Sequence, residues 1–85
     1  MNKLLKNKPS STTNNFKIEV MGKLNKSLSD VLGGALISHQ TINNKIISHL
    51  EGKIIDQSEL IGILNTLYNM RFEIISVKVN DEKVA

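Results

Sequence analysis

Two identical Ile-Ser-His triplets are the first feature of this 85-residue sequence that could support chemistry. The triplets end at His39 and His49. Paired imidazoles can bind a metal ion. A serine beside a histidine can act as a nucleophile. A two-residue turn at 43–44 would place His39 opposite Ser48 and His49 opposite Ser38, on different faces of a sheet. A three-residue loop would place the histidines side by side. We favour the shorter turn and expect no metal site.

Two other groups of residues have a chemical and a structural interpretation. Asp56 and Glu59 could be paired carboxylates, but their spacing before an apolar helix is that of a capping box. Gly33-Gly34 could bring backbone amides to a ligand, yet the lysine and Ser/Thr of a phosphate loop do not follow. Because the chain also lacks cysteine and a cofactor fingerprint, we expect neither an enzyme nor a bound cofactor.

The charge distribution argues against nucleic acid as a partner. The formal charge of +3 comes from residues 1–15, which carry three lysines and no acid, whereas residues 16–85 hold eight basic and eight acidic side chains. A nucleic-acid-binding domain needs a positive face, which this balance does not supply. No apolar run approaches the length of a membrane span or of a signal peptide, so we expect a cytoplasmic protein without a membrane partner.

The first half of the chain predicts a tail, a strand and one short ordered segment. Residues 1–15 read as a disordered basic tail, and strict alternation of apolar residues predicts a strand over 16–21. Ser27 can then cap a short helix with apolar residues at helical spacing, ended by Gly33-Gly34. Because this segment has barely two turns, an ordered loop is the alternative.

The second half predicts a hairpin, a helix and a last strand. Residues 35–55 read as two strands around the turn at 43–44, with the face that contains Ile37 and Leu50 in the core because charge falls only on the other face. Asp56 begins a helix that ends near 70–71, and 73–79 is the last strand. Residues 16–80 therefore form one domain, and 81–85 are a polar stub.

The order of these elements predicts an α+β protein. A strand, a short helix, two strands, a helix and a strand fit a ferredoxin-like split βαβ sandwich with a four-stranded, mainly antiparallel sheet. The alternative omits the first helix and leaves a three-stranded meander, a helix and a final strand.

Several stretches of the sequence carry a resemblance to a known group. They are Val20-Met21-Gly22-Lys23-Leu24, the Asp-Gln-x-x-Leu-x-Gly-x-Leu pattern over 56–64, and Ile74-Ile75-Ser76-Val77. Over about sixty residues the chain resembles a family of short, uncharacterised bacterial proteins, and this resemblance implies no established activity. The last helix and strand are also similar to the end of small regulatory domains of the ferredoxin-like class.

The outer face of the predicted sheet carries more aliphatic side chains than a solvated face requires. The candidate interface residues are Met21, Leu36, Ile42, Ile47 and Ile55. We therefore expect a non-catalytic module that interacts with a second copy, as a homodimer, or with another protein. The alternatives are a small-molecule-binding regulatory domain that acts as a dimer and, ranked last, a nucleic-acid binder.

Overall fold

A computed structural model of the chain describes residues 14–81. Most of the predicted tail and of the predicted stub lies outside the described residues, but Asn14, Asn15 and Asp81 belong to strands. The elements in chain order are β1 (Asn14–Met21), a 3-10 helix (Lys26–Leu32), β2 (Leu36–Ile42), β3 (Lys45–Ile54), α1 (Gln57–Asn69) and β4 (Glu73–Asp81).

The four strands form one sheet in the order β2-β3-β1-β4, and each strand is antiparallel to its neighbours. This confirms the α+β class and the four-stranded antiparallel sheet. The alternative prediction of a three-stranded meander is wrong, because β1 pairs with β3 and β4 and not with β2. At the centre of the sheet, Ile18 of β1 lies between Leu50 of β3 and Val77 of β4.

The turn between β2 and β3 has two residues, as the sequence predicted. Asn43 and Asn44 have φ angles of 52° and 65°, the left-handed conformation that a type I′ turn requires and that asparagine tolerates. Ile42 consequently pairs with Lys45, and this register excludes the three-residue loop. It also puts Ile37 and Leu50 together on the buried face.

The segment before β2 is a 3-10 helix, and its cap differs from the prediction. The side chain of Asn25, rather than that of Ser27, occupies the N-cap and accepts a 2.8 Å hydrogen bond from the Ser27 amide. The prediction of Ser27 is wrong because the helix begins at Lys26, two residues before the start that a cap at Ser27 implies. Gly33 ends the helix with a φ of 74°, and Leu32 anchors it in the core.

The core lies between one face of the sheet and the two helices. Its members come from every element except β4, which contributes the partly buried Ile74 at the margin; they are Phe16, Ile18, Val20, Leu24, Leu32, Ala35, Ile37, Leu50, Ile54, Ile63 and Leu67. Ser48 is the one fully buried polar residue among those described. Its hydroxyl donates to the Gly22 carbonyl oxygen at 2.6 Å and accepts from the Leu24 amide at 2.8 Å, which ties the chain after β1 onto β3.

The helix α1 has a defined start and end. The carboxylate of Asp56 accepts from the Glu59 amide at 3.2 Å, and Glu59 Oε1 accepts from the Ile55 amide at 2.9 Å, which completes the predicted capping box. At the other end, the Phe72 amide donates to the Leu67 carbonyl, with Arg71 in the left-handed conformation. Apart from the neighbouring residues and backbone of α1 itself, no described atom lies within 4 Å of a Cβ placed at Gly62, so this glycine does not mark close packing.

Candidate interaction surface

One face of the sheet has no helix packed against it within residues 14–81. We call it the open face. Its side chains alternate along the strands with those of the core. They are Asn15, Lys17, Glu19 and Met21 of β1, Leu36, Ser38, Gln40 and Ile42 of β2, Lys45, Ile47, His49, Glu51 and Lys53 of β3, and Glu73, Ser76 and Lys78 of β4. Four lysines and three glutamates make this face nearly neutral.

A row of polar side chains crosses the open face and touches every strand. His49 Nε2 lies 3.0 Å from Gln40 Oε1, and His49 Nδ1 lies 3.3 Å from Glu19 Oε2. The other carboxylate oxygen of Glu19 accepts a 3.0 Å hydrogen bond from Ser76 Oγ. Two hydrogen bonds and the close contact between His49 and Glu19 therefore connect side chains of β2, β3, β1 and β4 across the face.

The polar row is not arranged for nucleophilic catalysis. A serine nucleophile needs direct contact with its histidine base, and here the Glu19 carboxylate lies between Ser76 and His49. Next to the row, Lys17 Nζ and Glu51 Oε2 are 3.6 Å apart, and both side chains are about half exposed. Such an exposed ion pair contributes at most about 1 kcal/mol.

The structure brings four of the five candidate interface residues onto the open face. Met21 and Ile47 are cross-strand partners at one end, and Ile42 lies diagonally from Ile47 on β2. Leu36 lies near the other end, with 77% of its surface exposed. Ile55 is placed elsewhere, because it follows the last residue of β3 and lines a cleft beside α1 with Val31.

The two histidines lie on opposite faces of the sheet, as the two-residue turn predicted. His49 belongs to the polar row, whereas His39 Nε2 lies 2.6 Å from the Leu24 carbonyl oxygen on the side of the helices. The imidazoles therefore cannot share an ion. Within residues 14–81, no group of three or more His, Asp or Glu side chains is placed to hold a metal.

Part of this surface was predictable and part was not. The alternation of residues along β2 and β3 placed Leu36, Ile42 and Ile47 on one face. The contact of Glu19 with His49 and Ser76 was missed, because these residues come from strands that are far apart in the sequence. A polar residue at an outward position in each strand is the only sequence signal for the row, and it does not indicate which strands are neighbours.

Asp56 acts as a helix cap in the structure. Ser58 Oγ donates to Asp56 Oδ1 at 2.6 Å, and this hydrogen bond, followed by that from the Glu59 amide, holds the pKa of Asp56 below its ordinary value of 3.8. Both bonds favour the ionised carboxylate. Because Asp56 is fully exposed, the capping geometry accounts for its position before α1.

Asp56→Ala is expected to lower the melting temperature at neutral pH by about 4–8 °C, because the first turn of α1 loses its cap. The pKa is lowered in the folded state, so the ionised carboxylate stabilises the protein above pH 3.8 and this contribution is lost as the pH falls through the folded value. Thermal melts from pH 7 to pH 2 should show the difference from wild type shrinking. Asp56→Asn is the control, because asparagine can cap the helix but carries no charge. If the difference in melting temperature between Asp56→Ala and wild type were the same at pH 2 as at pH 7, the stabilisation by the ionised carboxylate would be contradicted.

Comparison with known protein families gives a match to this chain. A family model with the description "Domain of unknown function (DUF8691)" matches residues 15–78. No curated protein and no solved structure matches the chain. Neither helix among the described residues is long and apolar enough to cross a membrane.

Proposed function

The chain belongs to this DUF8691 family, and we propose that it is a non-catalytic protein-interaction module. The observation that carries the proposal is the open face. Met21, Ile42 and Ile47 form an apolar patch on it, while the helices that cover the sheet lie on the other face. An apolar patch of this kind next to satisfied polar groups is typical of a surface that packs against another protein.

We also propose that the sheet and helices form a ferredoxin-like split βαβ sandwich. The strand order supports this, because β1 and β2 lie on either side of β3, and β3 and β4 lie on either side of β1. Each of these two crossovers passes through a helix, which is the 3-10 helix in the first and α1 in the second. The sheet then has one helical layer and one face free for contacts.

A second copy of the chain is the occupant that the charges of the open face favour. Because the face carries lysines and glutamates in nearly equal number, with Glu51 on one side of Lys17 and Lys78 on the other, two copies stacked face to face need not oppose like charges. A small domain of this kind, without disulfides, also gains stability from additional buried surface. Another protein is the second occupant, and the experiment below separates the two.

Sedimentation velocity at micromolar concentrations tests the open face. The wild-type protein is expected to associate, and Ile47→Lys is expected to weaken this association by about tenfold or more, because it places a charge at the centre of the apolar patch. Val31→Lys is the matched control, since Val31 is 59% exposed on the opposite side of the molecule. An association that Ile47→Lys leaves unchanged would contradict self-association through this face, and a wild-type monomer would leave only another protein as occupant.

A second candidate function is a regulatory domain that binds a small molecule as a dimer. It is supported by a surface cleft of about 330 Å³ beside Leu36, lined by Lys17, Glu51 and Lys53. The cleft is open to solvent, so a second subunit would be needed to enclose a ligand. A melting temperature that rises with a small metabolite only in variants that still dimerise would favour this function.

A further inference from the structure

The outer edge of β2 lacks the features that usually prevent a sheet edge from pairing with another strand. Residues 36–42 contain no charged residue and no proline, and their pairing with β3 has no bulge. The opposite edge, β4, carries Glu73 and Lys78 and has a register shift near Ile75. Native sheets block their edges with such charges and irregularities, so β2 is the edge that is available for pairing.

Symmetry restricts how two copies of β2 can pair. In an antiparallel pair related by a two-fold axis perpendicular to the sheet, one residue lies at the axis and faces itself. His39 is the middle residue of the seven in β2. A pair centred on His39 is the only symmetric register in which all seven residues have a partner within the strand.

The side chains of β2 are complementary in that register. Leu36 of each copy would lie opposite Ile42 of the other, so the contact occurs twice. These residues are both on the open face, and they are 77% and 41% exposed. Between them, Ser38 would lie opposite Gln40, which joins polar side chains to each other.

We propose that β2 pairs with β2 of a second copy of this chain, antiparallel and centred on His39. The two four-stranded sheets then join into one eight-stranded sheet, and the exposed surfaces of Leu36 and Ile42 are covered. This contact goes beyond the proposed function, because it uses the edge of the sheet and, of the apolar patch, covers only Ile42 and leaves Met21 and Ile47 free for a separate contact.

The charged side chains nearest the proposed two-fold axis lie on the face of the sheet that packs against the helices. Lys23 and Lys26 line the same surface cleft as His39, so pairing would bring like charges of the two copies toward each other. Salt screens such repulsion. The edge contact is therefore expected to strengthen as the ionic strength rises.

A charge exchange tests the proposal. Leu36→Lys and Ile42→Glu are each expected to weaken dimer formation by about tenfold or more, because each places a charge against an apolar side chain at two symmetric points. The double variant is expected to recover most of this loss, since the introduced lysine and glutamate lie opposite each other across the axis. Within one copy the two positions are roughly 20 Å apart, so they cannot pair intramolecularly.

The measurement is sedimentation equilibrium of all four proteins in the Ile47→Lys background, with circular dichroism to verify folding. This background removes association through the open face, so a remaining dimer reports the edge contact alone. Recovery in the double variant supports the proposal. The edge-pairing proposal is overturned if the Ile47→Lys protein is a monomer, or if the double variant associates no better than the single variants. Either result leaves the open-face proposal unaffected.

The chain contains no cysteine, which allows an independent test of the register. In a mixture of Ser38→Cys and Gln40→Cys proteins, oxidation is expected to link one variant to the other, because these positions are cross-strand partners. Preferential linkage of Ser38→Cys to itself would move the axis to Ser38 and contradict pairing centred on His39. Preferential linkage of Gln40→Cys to itself would move the axis to Gln40 and contradict it equally.

Discussion

Ser48→Ala is expected to lower the free energy of unfolding by about 2–4 kcal/mol, although it removes a single oxygen atom. The Ser48 hydroxyl bonds both the Gly22 carbonyl and the Leu24 amide, and Ser48 itself has no exposed surface. Without the hydroxyl, two backbone groups near the core lose their partner at once. An unpaired buried polar group costs more than a typical hydrogen bond contributes, which sets the size of the effect.

Urea denaturation of Ser48→Ala and of Ser38→Ala measures this effect. Ser38 is exposed on the open face of the neighbouring strand, so the same chemical change there is expected to alter stability by less than about 0.5 kcal/mol. A loss below about 1 kcal/mol for Ser48→Ala would show that the segment between Gly22 and Leu24 finds other partners, and would contradict the role given to Ser48.

Phe16→Ala is expected to lower the free energy of unfolding by about 3–5 kcal/mol, because it empties a large volume in the core. The ring of Phe16 is buried against Gly52, its cross-strand partner on β3. A Cβ atom placed at Gly52 would lie only 3.0 Å from two ring atoms of Phe16. The absence of a side chain at position 52 therefore makes room for the aromatic ring.

This arrangement predicts that substitutions at the two positions are coupled. Gly52→Ala alone is expected to destabilise the protein by about 1–3 kcal/mol, because the Phe16 ring must move. In the Phe16→Ala background the same change should be neutral or stabilising, since the clash is gone and glycine is unfavourable in a strand. Gly62→Ala is the control, expected to stabilise the protein by about 1 kcal/mol at an unobstructed helix position. Additive effects of Phe16→Ala and Gly52→Ala in urea denaturation would contradict this packing.

Local signals in the sequence favoured the observed elements and one observed register, with a loop as the alternative to the first helix and a three-residue loop as the alternative to the turn. Asn43 and Asn44 tolerate positive φ angles, and that property favoured the two-residue turn that the pairing of β2 with β3 shows. The capping residues Asp56 and Glu59 fixed the start of α1. These features depend on residues within a few positions of one another, where backbone sterics and hydrogen bonding decide the outcome.

Long-range pairing was beyond what the sequence pattern could predict. Continued alternation along β3 predicts Ile55 on the outer face, but the Ile55 amide donates to Glu59 Oε1 and the strand ends at Ile54. The capping box thus prevails over the strand pattern. Similarly, nothing in β1 itself indicates that Glu19 lies between His49 and Ser76, since that contact depends on which strands become neighbours.

The central position of β1 has a consequence for how the chain folds during synthesis. β1 leaves the ribosome first among the strands, yet its partners β3 and β4 follow much later, and Glu19 and Ser76 are 57 residues apart. The β2–β3 hairpin can form locally within microseconds, whereas β1 cannot be enclosed on both sides until the last strand has emerged. Until β4 has emerged, Phe16, Ile18 and Val20 lack one of their two neighbouring strands, so the nascent chain exposes an apolar strand that can pair with other chains.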